Sequence, residues 1–245
     1  MADAPDHPEK VEIKANASGS HAKTAADAFH LTDDNGAARR IWFLESRRGI
    51  EQGRLDLLDH GLILRLRSIE HDPDDTTVKL RSKRAPTIPD RWLPSFQVIE
   101  GDWAVDQHLI SASFTEKMAS DRIEEATRQG GNISRAFTAE QEDYLSHAHQ
   151  PPIGLDELQS LGPIQARKWS ALEKDHFAHD IRAERWEIDQ LQFLEFSIRV
   201  DWDEAKEAQR GLHRLLADRG VDLSGLHEPK TTLVLRHLAR IANRI

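Results

Sequence analysis

The chain has 245 residues, no cysteine and a formal net charge of −9 at pH 7. The lack of thiols excludes disulfides and thiolate metal sites, and the acidic balance argues against general nucleic-acid binding. No stretch approaches the roughly 18 apolar residues of a membrane-spanning helix, and residues 1–8 lack the apolar core of a signal peptide. We therefore expect a cytoplasmic protein with no membrane partner and no general affinity for nucleic acid.

The sequence predicts a short disordered segment followed by one folded domain. Residues 1–8 are polar and contain Pro5 and Pro8, so they are predicted to be disordered. Strand patterns occur near both ends of the remaining chain, and no low-complexity linker separates them. Residues 9–245 are therefore predicted to form a single domain. The sequence leaves the oligomeric state open, and a homo-oligomer is compatible with it.

Apolar residues that alternate with polar ones predict a series of strands. In chain order these strands are 11–17, 40–45, 61–67, 76–81, 95–103, 164–172, 180–188 and 191–200. Helical spacing of apolar residues predicts helices at 24–29, 115–128, 138–147, 153–161, 203–219 and 230–245. Residues 105–113 are predicted to extend the strand before them or to pair with it. This mixture predicts an α+β fold.

Strands 61–67 and 76–81 alternate apolar residues with basic ones. A period of two places Arg65 and Arg67 on one face of the first strand and Lys79 and Arg81 on one face of the second. The link 71–75, His-Asp-Pro-Asp-Asp, has the composition of a turn, and its acids are predicted to be solvated. We therefore predict a hairpin with four cations on one face.

Two further strands carry charge on one face and apolar residues on the other. The first is Lys10-Val11-Glu12-Ile13-Lys14, and the second places Glu195 and Arg199 on the same face. Four such strands favour a β-barrel whose charged faces line a tunnel and whose apolar outer faces are covered by helices. The alternative is an open antiparallel sheet with a solvated charged face.

Several short motifs occur in a characteristic order. They are Glu12-Ile13-Lys14, Ile41-Trp42-Phe43-Leu44-Glu45, Leu64-Arg65-Leu66-Arg67, Thr77-Val78-Lys79-Leu80-Arg81, Leu194-Glu195-Phe196-Ser197 and Pro229-Lys230-Thr231. In this order they resemble the CYTH, or triphosphate tunnel metalloenzyme, superfamily. The resemblance extends over residues 9–238 and is weakest over residues 101–163.

The resemblance implies an antiparallel barrel of about eight strands that encloses a charged tunnel. Members of this superfamily bind triphosphate-like anions with basic tunnel residues and hold a divalent cation with acidic ones. Their activities include hydrolysis of inorganic triphosphate, of thiamine triphosphate or of RNA 5′-triphosphate ends, and some are class IV adenylate cyclases. Two acids of the pattern are replaced here: Lys10 stands where the first glutamate of E-x-E-x-K belongs, and Leu44-Glu45 follows the aromatic strand in place of an aspartate.

Cations on the tunnel face are predicted to bind the phosphates, because arginine binds phosphate oxygens bidentately and lysine acts as a point charge. The predicted phosphate-binding residues are Lys14, Arg65, Arg67, Lys79, Arg81, Arg182, Arg199 and Lys230. Lys168 is a further candidate on a less clearly defined strand.

Carboxylates on the same faces are predicted to hold Mg²⁺ or Mn²⁺, which prefer oxygen ligands. The predicted metal ligands are Glu12, Glu184 and Glu195, with Glu100 or Asp102 as a further ligand. Glu12 and Glu195 are also the predicted catalytic residues of a metal-dependent hydrolase that acts on a small triphosphate. The alternatives are a non-catalytic module that binds polyphosphate or nucleotides, and a class IV-type adenylate cyclase.

Overall fold

The structure is a computed structural model that describes residues 7–104, 107–149, 152–173, 177–223 and 228–243. Most of the predicted disordered segment 1–8 lies outside these ranges, as do the last two residues of the predicted helix 230–245. The strands are β1 (Lys10–Ser18), β2 (Ala37–Ser46), β3 (Leu62–Ile69), β4 (Asp74–Ser82), β5 (Val98–Ala104), β6 (Gln107–Met118), β7 (Leu158–Leu172), β8 (Ile181–Ile188) and β9 (Leu191–Asp201). The helices are α1 (Ser20–Ala28), α2 (Arg47–Glu51), α3 (Asp56–Asp59), α4 (Ser120–Thr127), α5 (Ala139–His147), α6 (Ala205–Asp218) and α7 (Lys230–Ala242).

The strands described form a closed barrel in the order β1-β5-β6-β4-β3-β2-β7-β8-β9, with β9 paired back to β1. The predicted helix-flanked barrel of about eight strands is therefore confirmed, with nine strands in the ring. Neighbouring strands are antiparallel except β1 and β5, which run parallel. A ring with an odd number of strands cannot alternate direction throughout, so one neighbouring pair must be parallel.

The strand that sequence patterns did not define is β6. The prediction assigned residues 115–128 to one helix, but β6 continues to Met118 and α4 begins only at Ser120. Pairing with β4, from Asp74↔Met118 to Ser82↔Ile110, holds these residues in the sheet, because sheet contacts override local preference. The predicted helix 153–161 is reduced to one 3-10 turn at Leu155–Glu157, since β7 begins at Leu158.

Local features of the sequence define where α5 and β3 begin. Thr138 caps α5, and its side chain and that of Gln141 form a reciprocal capping box. Gly61 precedes β3 with a φ of 75°, where a Cβ atom would lie 2.3 Å from the carbonyl oxygen of Arg81. Glycine therefore allows β3 to begin directly beside the end of β4.

Three apolar clusters pack the helices against the barrel. The cluster under α1 and α6 contains Phe196 and Leu212, and the one under α4 and α5 contains Leu64 and Phe114. The third joins α7 to the barrel through residues such as Trp186. Across the residues described, none of the helices combines the length and the apolar character needed to cross a bilayer.

Candidate anion-binding tunnel

The barrel lumen contains a cavity of about 180 Å³ whose lining is rich in cations. The lining cations are Lys14, Arg39, Arg65, Arg67, Lys79, Arg81, Lys168, Arg182 and Lys230. The lining carboxylates are Glu12, Asp102, Glu184 and Glu195. The lumen of this acidic protein therefore carries an excess of positive charge.

Alternation along the strands sorts these side chains into the lumen. On β3, Arg65 and Arg67 line the cavity while Leu64 and Leu66 are fully buried in the outer cluster under α4 and α5. On β4, Val78 is buried in the same cluster, between inward-facing residues. The charged faces of the predicted hairpin therefore look into a tunnel and do not form a solvated sheet face.

One group of ion pairs converges on Asp102 of β5, and we call it the Asp102 wall: Glu12, Lys14, Lys79, Arg81 and Asp102. Lys14 Nζ lies 2.8 Å from Asp102 Oδ1 and 2.8 Å from Glu12 Oε2. Asp102 Oδ2 lies 3.1 Å from Lys79 Nζ and accepts a hydrogen bond of 2.7 Å from Arg81 Nη2. Both carboxylate oxygens are thus occupied by cations, and only 4% of the side chain is exposed.

The titration of the Asp102 wall follows from these contacts. Burial would raise the pKa of Asp102, but Lys14, Lys79 and Arg81 hold it well below its ordinary range. Burial would lower the pKa of Lys14, but Asp102 and Glu12 raise it above its ordinary value. The pKa of Lys79 is lowered by burial, and Asp102 opposes that shift.

A second buried acid neutralises the β3 arginines. Asp75 is 1% exposed and forms a close ion pair with Arg67, while Arg65 Nη2 lies 3.8 Å from Asp75 Oδ1. The prediction that the acids of 71–75 are solvated is therefore wrong for Asp75 and for Asp74, which is also 1% exposed. The reason is that β4 begins at Asp74, so that Asp75 shares the inward face of Thr77.

On the other arc of the barrel, β8 and β9 bring two predicted metal ligands together. Glu184 and Glu195 are direct cross-strand partners. Lys230 Nζ, at the start of α7, lies 3.2 Å from Glu195 Oε1 and 3.7 Å from Glu184 Oε2. Arg39 lies 3.6 Å from Glu184. Burial would raise the pKa of Glu184, but Lys230 and Arg39 lower it to about 2.

We call the charged residues of this arc the Glu184 wall: Arg39, Lys168, Arg182, Glu184, Glu195 and Lys230. Two of its cations lack an ion pair within the described part of the chain. Lys168 and Arg182 line the cavity and form no ion pair with a carboxylate of the residues described. Burial, and then the charge of Arg39, lower the pKa of Lys168. The Nε atom of Arg39 is buried without a hydrogen-bond partner.

The arginines of β3 and β4 are also crowded. Burial and the charge of Arg67 lower the pKa of Arg65 to about 10. The Nε atoms of Arg65 and Arg81 are buried without hydrogen-bond partners in the described structure. Such groups gain both hydrogen bonds and charge compensation when an anion enters.

The predicted residues do not all converge. Arg199 lies outside the cavity lining, where its side chain is 42% exposed and pairs with Glu100 at 3.0 Å. Glu12 is separated from Glu195, because Glu12 pairs with Arg199 in the register whereas Glu195 pairs with Asn16, four residues along β1. Within the described ranges, no three His, Cys, Asp or Glu side chains are placed to hold one metal ion.

The residues that replace the two acids of the sequence pattern, Lys10 and Glu45, both have partners in the structure. Lys10 forms a close ion pair with Asp201, and both side chains are about half exposed. Glu45 is 1% exposed and accepts backbone hydrogen bonds from Ser46, Leu57 and Leu58. It therefore fixes the start of α3 and does not line the cavity.

Sequence reasoning missed Arg39 and did not assign Asp75 to the site. Arg39 shares its face of β2 with Phe43, which also lines the cavity, so a longer β2 in the prediction would have included it. Asp75 shares the face of Lys79 and Arg81 by the same period of two.

No protein-family model matches the chain, and no curated protein matches its sequence. Solved structures do match its fold. A Bacillus halodurans protein, provisionally described as an adenylate cyclase, aligns with a TM-score of 0.59 at 12% identity over 93% of this chain and 98% of that chain. A Hippeastrum protein, provisionally an adenylyl cyclase and described as having a dominant triphosphatase activity, aligns with a TM-score of 0.59 at 13% identity over 94% of this chain and 96% of that chain.

These likenesses, together with the closed barrel, show that the chain shares its fold with these two proteins. At this level of identity they establish the fold alone.

Proposed function

We propose that the barrel lumen binds a short linear polyphosphate, such as inorganic triphosphate, and that the protein hydrolyses it. The observation that carries this proposal is the excess of cations around one cavity of the barrel lumen, including Lys168 and Arg182, which form no ion pair with a described carboxylate. Inorganic triphosphate needs only charge complementarity, and no base-binding pocket.

The physical basis is the cost of burying like charges. Arg39, Arg65 and Lys168 all have pKa values lowered by burial and by a neighbouring cation, so each charged group raises the free energy of the others. A polyphosphate supplies the missing negative charge and accepts hydrogen bonds from the orphaned Nε atoms. Binding of the anion is therefore favoured, because it offsets the repulsion among these buried cations.

The predicted divalent cation is best accommodated by the Glu184–Glu195 pair. Mg²⁺ usually takes one or two carboxylates, keeps several waters and shares the substrate phosphates, so two adjacent glutamates are sufficient. When bound there, Mg²⁺ or Mn²⁺ would supply Lewis-acid stabilisation of phosphate charge and a more acidic water. We do not include Glu12 in this pair, because its carboxylate contacts Lys14 on the Asp102 wall.

The chain's own residues then have distinct tasks. Arg65 and Arg67, with Lys168 and Arg182, would stabilise charge on the phosphoryl oxygens. Lys230 would hold the Glu184 and Glu195 carboxylates in position, because it contacts both and is only 3% exposed. The triphosphatase activity described for the Hippeastrum protein supports the same class of reaction here.

A specific observation favours a second candidate, a module that binds polyphosphate without hydrolysing it. Each of the four described carboxylates that line the cavity already pairs with a lysine, as shown for Glu12, Asp102, Glu184 and Glu195. A metal ion would have to compete with Lys230 for its ligands.

The deciding experiment measures phosphate release from inorganic triphosphate with Mg²⁺, with Mn²⁺ and with EDTA. It compares the wild type with Glu195→Gln and with the exposed control Glu157→Gln. We expect metal-dependent release by the wild type and the control, and a loss of about 100-fold or more in Glu195→Gln. Binding without release would establish the binding module. The absence of both binding and release would overturn the proposal.

A further inference from the structure

We propose that Asp102 is an internal counter-ion for the cations of the Asp102 wall, so that a bound polyphosphate is held by the cations of the Glu184 wall. It thereby limits the number of phosphoryl groups that bind. This inference rests on the proposed function, because it assumes that the lumen binds a polyphosphate.

The geometry of Asp102 resembles that of a bound anion. Its two carboxylate oxygens lie 2.8 Å from Lys14 Nζ, 3.1 Å from Lys79 Nζ and 2.7 Å from Arg81 Nη2. The carboxylate lines the cavity and is almost fully desolvated. A phosphate group that approached these cations would have to displace a carboxylate that is covalently fixed and already free of water.

The Glu184 wall offers the opposite situation. Lys168 and Arg182 have no carboxylate partner among the described residues, and Arg39 pairs with Glu184 only at 3.6 Å. An anion bound by Lys168 and Arg182 displaces no described carboxylate from an ion pair and relieves repulsion between cations. Two lysines in the same cavity therefore differ in one respect that can be tested: Asp102 holds Lys79 at 3.1 Å, and no described carboxylate pairs with Lys168.

The matched pair Lys79→Met and Lys168→Met tests which wall holds the anion. Each change removes one lumen cation and keeps an unbranched apolar side chain. Titration calorimetry with inorganic triphosphate should show affinity lowered by about tenfold or more in Lys168→Met and by less than about threefold in Lys79→Met. Equal losses, or a larger loss in Lys79→Met, would overturn the inference.

Asp102→Asn tests the limit on length. It keeps the shape of the side chain and releases the cations of the Asp102 wall for a longer anion. The ratio of affinities for inorganic tetraphosphate over triphosphate should rise by about fivefold or more relative to the wild type. An unchanged ratio in a folded variant would contradict a limiting role for Asp102.

The outcomes separate this inference from the function on which it rests. If the wild type binds no triphosphate, the proposed function fails. If the wild type binds it but both lysine variants lose affinity equally, only the role of Asp102 fails. If Asp102→Asn does not fold, the two lysine variants, which leave Asp102 in place, still decide which wall is used.

Discussion

On the Asp102 wall, three cations converge on a single buried carboxylate, whereas on the Glu184 wall Lys168 and Arg182 face the same cavity without an ion pair to a described carboxylate. Both walls are built by the same alternation of inward polar and outward apolar residues. The number of cations on a wall is therefore a poor guide to its affinity for anions. What distinguishes the walls is whether every cation is held in an ion pair, as on the Asp102 wall, or some are left without one, as Lys168 and Arg182 are among the described residues.

The largest expected effect is on stability when the Asp102 wall loses its counter-ion. Asp102→Asn leaves Lys14, Lys79 and Arg81 buried with less negative charge, so the free energy of unfolding should fall by about 3–5 kcal/mol. Urea denaturation in metal-free buffer measures this change. Addition of triphosphate should recover more stability in the variant than in the wild type, because the released cations bind it. A loss below about 1 kcal/mol would mean that the wall is not organised by this carboxylate.

An intermediate effect is expected from the titration of Glu184. Its pKa is lowered to about 2, chiefly by Lys230 and Arg39 against the effect of burial. A carboxyl group with a lowered pKa stabilises the fold above its unfolded pKa of about 4.5, and that contribution is lost as the pH falls towards 2. Since the side chain is 21% exposed, we expect a contribution of about 2 kcal/mol.

The measurement is the difference in unfolding free energy between the wild type and Glu184→Gln, followed by urea denaturation from about pH 6 to about pH 2. The difference should shrink as the pH falls. Glu157→Gln, at an exposed position, serves as the control and should show no such trend. A difference that stays constant with pH would show that the ion pairs of Glu184 do not stabilise the fold.

The smallest expected effect has the opposite sign. Lys168→Met removes a cation whose pKa is lowered by burial and by Arg39, so the ligand-free protein should gain about 1 kcal/mol of stability. Thermal unfolding without and with triphosphate measures both aspects: the melting temperature of the free variant should rise, and the shift caused by the ligand should shrink. A free variant less stable than the wild type would show that Glu184, the cross-strand partner of Lys168, outweighs the cost of burying this cation.

The sequence predicted the tunnel better than it predicted the pairing inside it. Period-two alternation was sufficient to place Arg65, Lys79 and Glu195 on inward faces, because the direction of a strand side chain depends only on its own strand. The partners of these groups depend on which strands are neighbours. Asp102 reaches Lys14 because β5 lies beside β1, and this neighbour relation joins segments that are far apart in sequence.

Two other differences concern the ends of strands. The end of β6, which includes Glu116, Lys117 and Met118, was predicted as the start of a helix, and only its pairing with β4 keeps it extended. Arg39 was omitted because the predicted strand begins at residue 40, whereas β2 begins at Ala37. In both cases the core of the strand was recognisable and its end was not, since strand ends are defined by their neighbours.

The parallel contact between β1 and β5 has a consequence for how the protein folds. β1 is flanked by a strand from the middle of the chain and by β9 near its end, so the ring closes only through contacts of high sequence separation. Such contacts form slowly, because the entropy of closing long loops opposes them. The cluster around Asp102 lies at this seam, and we therefore expect the charged interior to assemble at the last step, when the hairpins on either side are already formed.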